Sequence, residues 1–354
     1  MTTMSEDAVS GEDMTMHCGG CAAKLPADAL RDALARLREE YPSVSFDPEQ
    51  GDDAAVITAG GQTVMQSVDV LRELVSDPFT QGRIAANHAL SDLYAMGATP
   101  RSAQAVIQLA YGRPEIQSGD LYQQLAGALH EFAAVDCQLV GGHTLEGSES
   151  SIGFVVNGAI SGQPLQKQGA AAGDVLLLTK PLGTGVLFAA HMQLALNSTL
   201  LVQAEKMMLR SNAVASRIVQ SLACSAATDV TGFGLSGHLL EMLATSPVDV
   251  DIELAAVPLL PGVEDCFERG LYSTAHPANV RVGAGMSVDA GLDAGRDKAK
   301  LAALYDPQTS GGLLMAMPAE RAEECVRQLW DAGYAQAAVI GRFRPGTGQA
   351  GVVG

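Results

Sequence analysis

The 354 residues carry 40 Asp and Glu against 22 Lys and Arg, a net charge of −18 that argues against nucleic acid as a partner, since phosphate backbones need clustered cations. At 47% hydrophobic and 18% charged residues the chain reads as globular, and its length suits two domains. No apolar run reaches the length of a membrane span, and six scattered cysteines form no disulfide framework, so no membrane partner is expected and the cytoplasm is the expected compartment.

"MTTMSEDAVSGEDMTM" is acidic and polar, without a basic or apolar leader pattern, and reads as a disordered lead-in over 1–16. "HCGGCAAKLP" (17–26) then sets Cys18 and Cys21 three apart, with Lys24 close behind. "PADALRDALARLREE" (26–40) repeats Leu30, Ala33, Leu34 and Leu37 at helical spacing after a proline suited to a first turn. "AAVITAGGQTVMQSVDV" (54–70) predicts two strands around an "AGGQ" turn. A long helix follows from about Pro78 to Met96 with Ala86, Leu90 and Leu93 as its apolar stripe and Gly97 as its stop. "SAQAVIQLA" is a strand, 117–135 a helix and "SIGFVVNGAI" a strand, while 161–174 reads as an interdomain connection.

The pattern then restarts. "VLLLTK" is a buried strand, followed by helical stretches near 184–195 and 199–222, the helix "GLSGHLLEMLA", the strand "VDVDIEL", a helix over 318–332 and "AQAAVIG". Strands and helices alternate in both halves, which gives an α/β (α+β) fold of two domains.

The aspartates carry the chemistry. Asp52 and Asp53 stand at the mouth of a strand in "GDDAAV", and Asp69 at the end of its partner in "SVDV". Asp92 shares a helix face with Ala85, His88 and Ala89, and Asp229 sits between apolar and glycine-rich residues in "ATDVTGFG". Capping explains many single aspartates, but Asp69 and Asp92 have no evident local capping task. Two carboxylates about 5 Å apart repel by roughly 3 kcal/mol at an effective dielectric near 20, so a convergent set needs a cation. An all-oxygen set favours Mg²⁺, which takes further ligands from substrate phosphates.

Three glycine-rich pieces, "VGGHT" (140–144), "KPLGTGV" (180–186) and "PQTSGGLL" (307–314), each suit a tight turn, yet beside an acidic set they also suit phosphate binding. For Cys18 and Cys21, structural zinc lacks a second close ligand pair, and a dithiol of the thioredoxin kind lacks the strand before it. An inert pair remains open. A thiolate near Lys24 on a mobile segment fits best, because the ammonium lowers the thiol pKa.

"CAAKL", "GDDAAV", "SVDV", "GRIAANHALSDLYAMGA", "LVGGHT", "TKPLGTGV", "TDVTGFGLSGHLLEM", "LPGVE" and "DPQTSGGLL" follow one another from about residue 18 to the C-terminus. In them the chain resembles the selenophosphate synthetase (selenide, water dikinase) family of the aminoimidazole ribonucleotide synthetase-like superfamily. The resemblance implies an enzyme converting ATP, selenide and water to selenophosphate, AMP and orthophosphate, with Mg²⁺, a monovalent cation such as K⁺, and a homodimer. Cys21 matches the catalytic cysteine and Lys24 the essential lysine; Asp53, Asp92 and Asp229 match metal ligands. Lys24, Gln50, Gly51, Asp52, Asp69 and Asp92 match the nucleotide site, and Gly141, Gly142 and His143 a segment reaching the partner's nucleotide.

The chain then divides into the 1–16 tail, a mobile Cys/Lys segment with the first helix (17–48), an N-terminal ATP- and Mg²⁺-binding sheet domain forming the dimer (49–162) and a C-terminal α/β domain (170–354). One departure stands out: many members carry a second thiol where this chain has Ala23, and its extra cysteine, Cys18, lies upstream. The rival readings are another ATP-dependent member of the superfamily, which has no reason to carry Cys21 and Lys24, and a non-catalytic selenium carrier.

Overall fold

In the computed structural model, the described residues are 27–41, 51–244, 246–292 and 295–354. The first half runs α1 (Ala27–Glu40), β1 (Ala55–Ala59), β2 (Gln62–Arg72), α2 (Pro78–Ala95), β3 (Thr99–Ala110), α3 (Pro114–Ala133), β4 (Gln138–Gly147) and β5 (Ser151–Ala159). The second continues with β6 (Asp174–Leu178), α4 (Thr184–Met192), α5 (Ser198–Met208), α6 (Ala213–Ser221), β7 (Ala226–Asp229), α7 (Gly234–Leu243) and β8 (Val248–Glu253). It closes with α8 (Val263–Glu268), α9 (His276–Val282), β9 (Ser287–Val288), α10 (Lys298–Ala303), β10 (Leu313–Pro318), α11 (Ala319–Asp331), β11 (Ala338–Pro345) and β12 (Ala350–Val353).

The first sheet has the order β1-β2-β5-β3-β4 and the second β7-β10-β6-β11-β8-β12-β9. In the first, β5 runs antiparallel to both β2 and β3, and β4 pairs parallel with β3 at the edge after the α3 crossover. Along β2 the side chains alternate: Met65, Leu71 and Asp69 turn inward, while Val68 and Val70 face out.

The helix α2 organises this half. Asp77 caps it by accepting from Thr80 N at 2.9 Å, Pro78 opens its first turn, and Gly97 leaves it with φ +74°. It packs on α3 at backbone contact distance, because a Cβ at Gly82 would meet Gln124 O at 1.9 Å and one at Gly127 would meet Phe79 O at 2.0 Å. Phe132 of α3 and Phe154 of β5 stack edge to face, 5.0 Å between centroids, and each such burial contributes about 1.5–3 kcal/mol.

Four expectations change. The apolar stripe expected of α2 is too narrow: residues 84–95 are buried on every side, because the helix is packed between the two halves. Asp69 lies inside β2, which continues to Arg72, and not at the strand's end. "VGGHT" is no turn but part of β4, where glycine suits close strand approach, since a Cβ at Gly142 would meet Ala105 O at 2.3 Å. The stretch 199–222 breaks between α5 and α6, since Arg210 O accepts from Lys180, Ser211 O from Tyr334 and Asn212 donates to Gly311 O. The first two claim backbone carbonyls that a continuous helix would have used, and the Asn212 side chain anchors the break.

Candidate active site

Three carboxylates converge from three places in the chain. Asp53 precedes β1, Asp92 lies in the last turns of α2, and Asp229 ends β7. Each offers an oxygen, and the three oxygens lie within 4.8 Å of one another; among the described residues this is the one group of three or more such side chains. Asp53 Oδ1 accepts from Thr228 Oγ1 at 2.9 Å and lies 3.2 Å from Lys167 Nζ, while Ser67 Oγ donates to Asp92 Oδ2. Asp53 Oδ2 and Asp229 Oδ2 are buried and have no hydrogen-bond partner among the described residues, which leaves acceptor capacity that a cation would satisfy. Burial pushes the Asp53 carboxyl well above the usual range; Lys167 pulls it down and Asp229 adds to the rise.

Asp69 lies on the inward face of β2, two residues from Ser67. His88 Nε2 is 3.6 Å from Asp69 Oδ2, and His88 Nδ1 accepts from Ser310 N at 3.1 Å, which leaves the ring proton on the nitrogen facing Asp69. The histidine thereby links the inward face of β2 to the loop entering β10.

Of the residues expected at the nucleotide, Gly51 and Asp52 serve the interdomain connection here. Asp52 Oδ1 accepts from Lys167 N at 3.0 Å, and Gly51 O from Lys167 Nζ at 3.1 Å. Gly141, Gly142 and His143 lie exposed on edge strand β4, separated from β2 by β5 and β3, about 14 Å at ordinary strand spacing. They are therefore apart from the carboxylates of their own chain. Cys21, Lys24 and Gln50 lie outside the described residues.

The glycine loops "KPLGTGV" and "PQTSGGLL" hold each other. Gln308 Oε1 accepts from Gly183 N and Thr184 N at 2.9 and 3.1 Å, and Asp306 Oδ2 from Val186 N at 3.1 Å. The first N–H groups of α4, in a piece read as a tight turn or a phosphate loop, are thus engaged by side chains.

Sequence reasoning missed Lys167, Glu241, Ser67 and Thr228. Lys167 carries no motif, although it is the lone cation of the 161–174 stretch. Its ammonium also contacts Glu241 Oε2 at 2.8 Å, and His238 Nδ1 lies 3.5 Å from the same oxygen. Burial alone would raise Glu241, but His238 and Lys167 overcome it and hold the carboxyl at about 2.

The family models for the AIR synthase related protein match this chain, the N-terminal domain over residues 51–163 and the C-terminal domain over 171–354. The fold is shared with thiamine monophosphate kinase from Aquifex aeolicus, TM-score 0.67 at 18% identity over 92% of this chain and 98% of that one. It is shared also with the hydrogenase maturation protein HypE in complex with ATP, TM-score 0.61 at 20% identity over 90% and 91%. The selenide, water dikinase of Geobacter metallireducens is 40% identical over 336 residues, 93% of this chain and 96% of that protein. That of Myxococcus xanthus is 34% identical and covers both chains completely. The chain belongs to the selenide, water dikinase family.

Proposed function

We propose that the protein makes selenophosphate from ATP, selenide and water, releasing AMP and orthophosphate. The observation that carries this reading is the meeting of Asp53, Asp92 and Asp229 within 4.8 Å, with buried oxygens on Asp53 and Asp229 left open. An oxygen-only donor set fits Mg²⁺ and fits zinc or iron poorly. Bound there, Mg²⁺ supplies the positive charge that lets a triphosphate approach three carboxylates.

The chain's own residues do the rest. Ser67 fixes the rotation of Asp92, and Thr228 fixes that of Asp53, so these two carboxylates keep their orientation. Asp69, oriented by His88, faces the nucleotide. Cys21 presents a thiolate that steers selenium, and Lys24 neutralises the transferred phosphoryl group. Both phosphoanhydride bonds of ATP break in the overall reaction, so two phosphoryl transfers share one site, and positioning and electrostatics supply most of the acceleration.

The functional unit is a cytoplasmic homodimer, and His143 on edge strand β4 acts on the partner's nucleotide. K⁺ joins Mg²⁺ as a second cation, a reading supported by the family resemblance alone. The test is anaerobic turnover of ATP with and without selenide, followed by phosphorus NMR. A selenide-dependent Se–P resonance is expected; ATP consumption with no such species overturns the assignment.

A further inference from the structure

Resting on the metal reading above, we propose that Lys167 is a resident counter-ion of the metal site: it pairs with Asp53 in the metal-free protein and opposes the incoming divalent ion. The connection between the two sheets places it there. Lys167 N donates to Asp52 Oδ1 at 3.0 Å, and Gln166 O accepts from Ala227 N at 2.9 Å, so the connection is stitched to the entry of β1 and to β7 at once. The Lys167 stem therefore starts between the two segments that deliver Asp53 and Asp229.

Its ammonium has three donors and three acceptors: Asp53 Oδ1 at 3.2 Å, Glu241 Oε2 at 2.8 Å and Gly51 O at 3.1 Å. The Lys167 side chain is 11% exposed and that of Asp53 5%, so water and salt screen this pair weakly, whereas Glu241 is 37% exposed. The pairing falls on Oδ1 of Asp53, the oxygen that also accepts from Thr228, while Oδ2 is buried without a hydrogen-bond partner among the described residues. One carboxylate thus holds a fixed cation on one oxygen and keeps acceptor capacity on the other.

Two consequences follow from charge alone. Without a metal, the lysine relieves the mutual repulsion of Asp53, Asp92 and Asp229. With a metal, the same positive charge stands beside a divalent cation and weakens its binding. A lysine that only tied down the connection would stabilise the fold and leave metal affinity unchanged on neutralisation.

The experiment uses the full-length protein stripped with EDTA, without ATP, with Mn²⁺ binding followed by electron paramagnetic resonance and thermal unfolding measured with and without Mg²⁺. Lys167→Met keeps the apolar stem and removes the charge. It should melt below wild type without metal, gain more from Mg²⁺, and bind Mn²⁺ at least about threefold more tightly. Adding Asp53→Asn to Lys167→Met should recover part of the lost metal-free stability, since the repulsion then falls. If Lys167→Met is insoluble, Lys167→Gln, which keeps a donor for Asp53, reads the same binding. Mn²⁺ affinity equal to or weaker than wild type in the neutral variant overturns the counter-ion assignment. Absence of saturable Mn²⁺ binding in wild type overturns the metal reading beneath it.

Discussion

The two sheets solve opposite problems with similar strands. In the seven-stranded sheet, the neighbouring strands β6 and β10 are buried on both faces: Leu176, Leu178, Leu314 and Ala316 join one core, and Val175, Leu177, Leu313 and Met315 join another. In the five-stranded sheet, one face lies under α2 and α3, while Val68 at 58% exposure, Val70 at 41% and Val140 at 57% stand open on the other side or at the edge. Open apolar residues on one sheet face ask for a cover, and a second copy of the chain is the cover our functional reading requires. The site lies between these regimes, taking Asp92 from the helix above the first sheet and Asp229 from the end of the second.

An aspartate introduced on each of the two sheets should break them differently. Leu177→Asp places an unpaired charge in a closed core and should prevent folding, read as loss of soluble protein and of near-ultraviolet circular dichroism. Val68→Asp, on the open face, should leave a folded chain and shift the species from dimer to monomer in light scattering. A dimeric Val68→Asp protein would remove that face from the interface.

The site supplies the next effect. Asp53→Asn, Asp92→Asn and Asp229→Asn should each lower ATP turnover on the order of 100-fold or more. Melting temperature should be unchanged or raised in Asp92→Asn and Asp229→Asn because repulsion among the acids falls, and lowered in Asp53→Asn, which also takes the carboxylate from Lys167. Normal turnover at ordinary Mg²⁺ in any one of them removes that residue from the set. Mixing inactive Asp92→Asn with inactive His143→Ala subunits should restore about a quarter of wild-type turnover, since half the dimers are mixed and each then holds one intact site. No recovery would place His143 outside the partner's site.

The smallest effect concerns Lys180, two residues past the end of β6. Its Nζ donates to Arg210 O and Ser310 O, and burial pushes it down to about 7, opposed by Asp229 and helped by Arg210. An unfolded lysine titrates near 10.4, so between these values the unfolded chain binds more protons and stability rises with pH. The gain is on the order of 1 kcal/mol per pH unit, complete above the unfolded pKa and absent below the folded one. Lys180→Met should flatten the wild-type rise in unfolding free energy between pH 7 and 10; an unchanged slope assigns the rise elsewhere.

The sequence announces those parts whose signal is local. The helix from Pro78, the strand pair around "AGGQ" and the alternation of both halves are legible because capping, turns and periodicity act over a few residues. Asp53, Asp92 and Asp229 stand out as candidates by their odd placement, although their convergence comes from tertiary structure. The misses are long-range. Nothing near residue 210 announces that Lys180, 30 residues earlier, claims a carbonyl there and ends a helix. Strand β4 is hidden by its glycines, which weaken strand propensity while the neighbouring backbone of β3 requires them. Lys167 is hidden because its partners lie 114 and 74 residues away.

The all-round burial of α2 bears on how the protein comes apart. Ile84, Ala86, Leu90 and Leu93 share one contiguous apolar cluster with Phe154 of the first half and with Phe188 and Met208 of the second, while Ala95 belongs to the core that holds Val175 and Leu177. Neither half can lose its structure without uncovering one flank of this helix. The folding unit is therefore larger than either sheet: residues 51–163 made alone would carry a helix with a bare apolar flank. Heat should unfold both sheets in a single cooperative transition, with calorimetric and van't Hoff enthalpies in agreement.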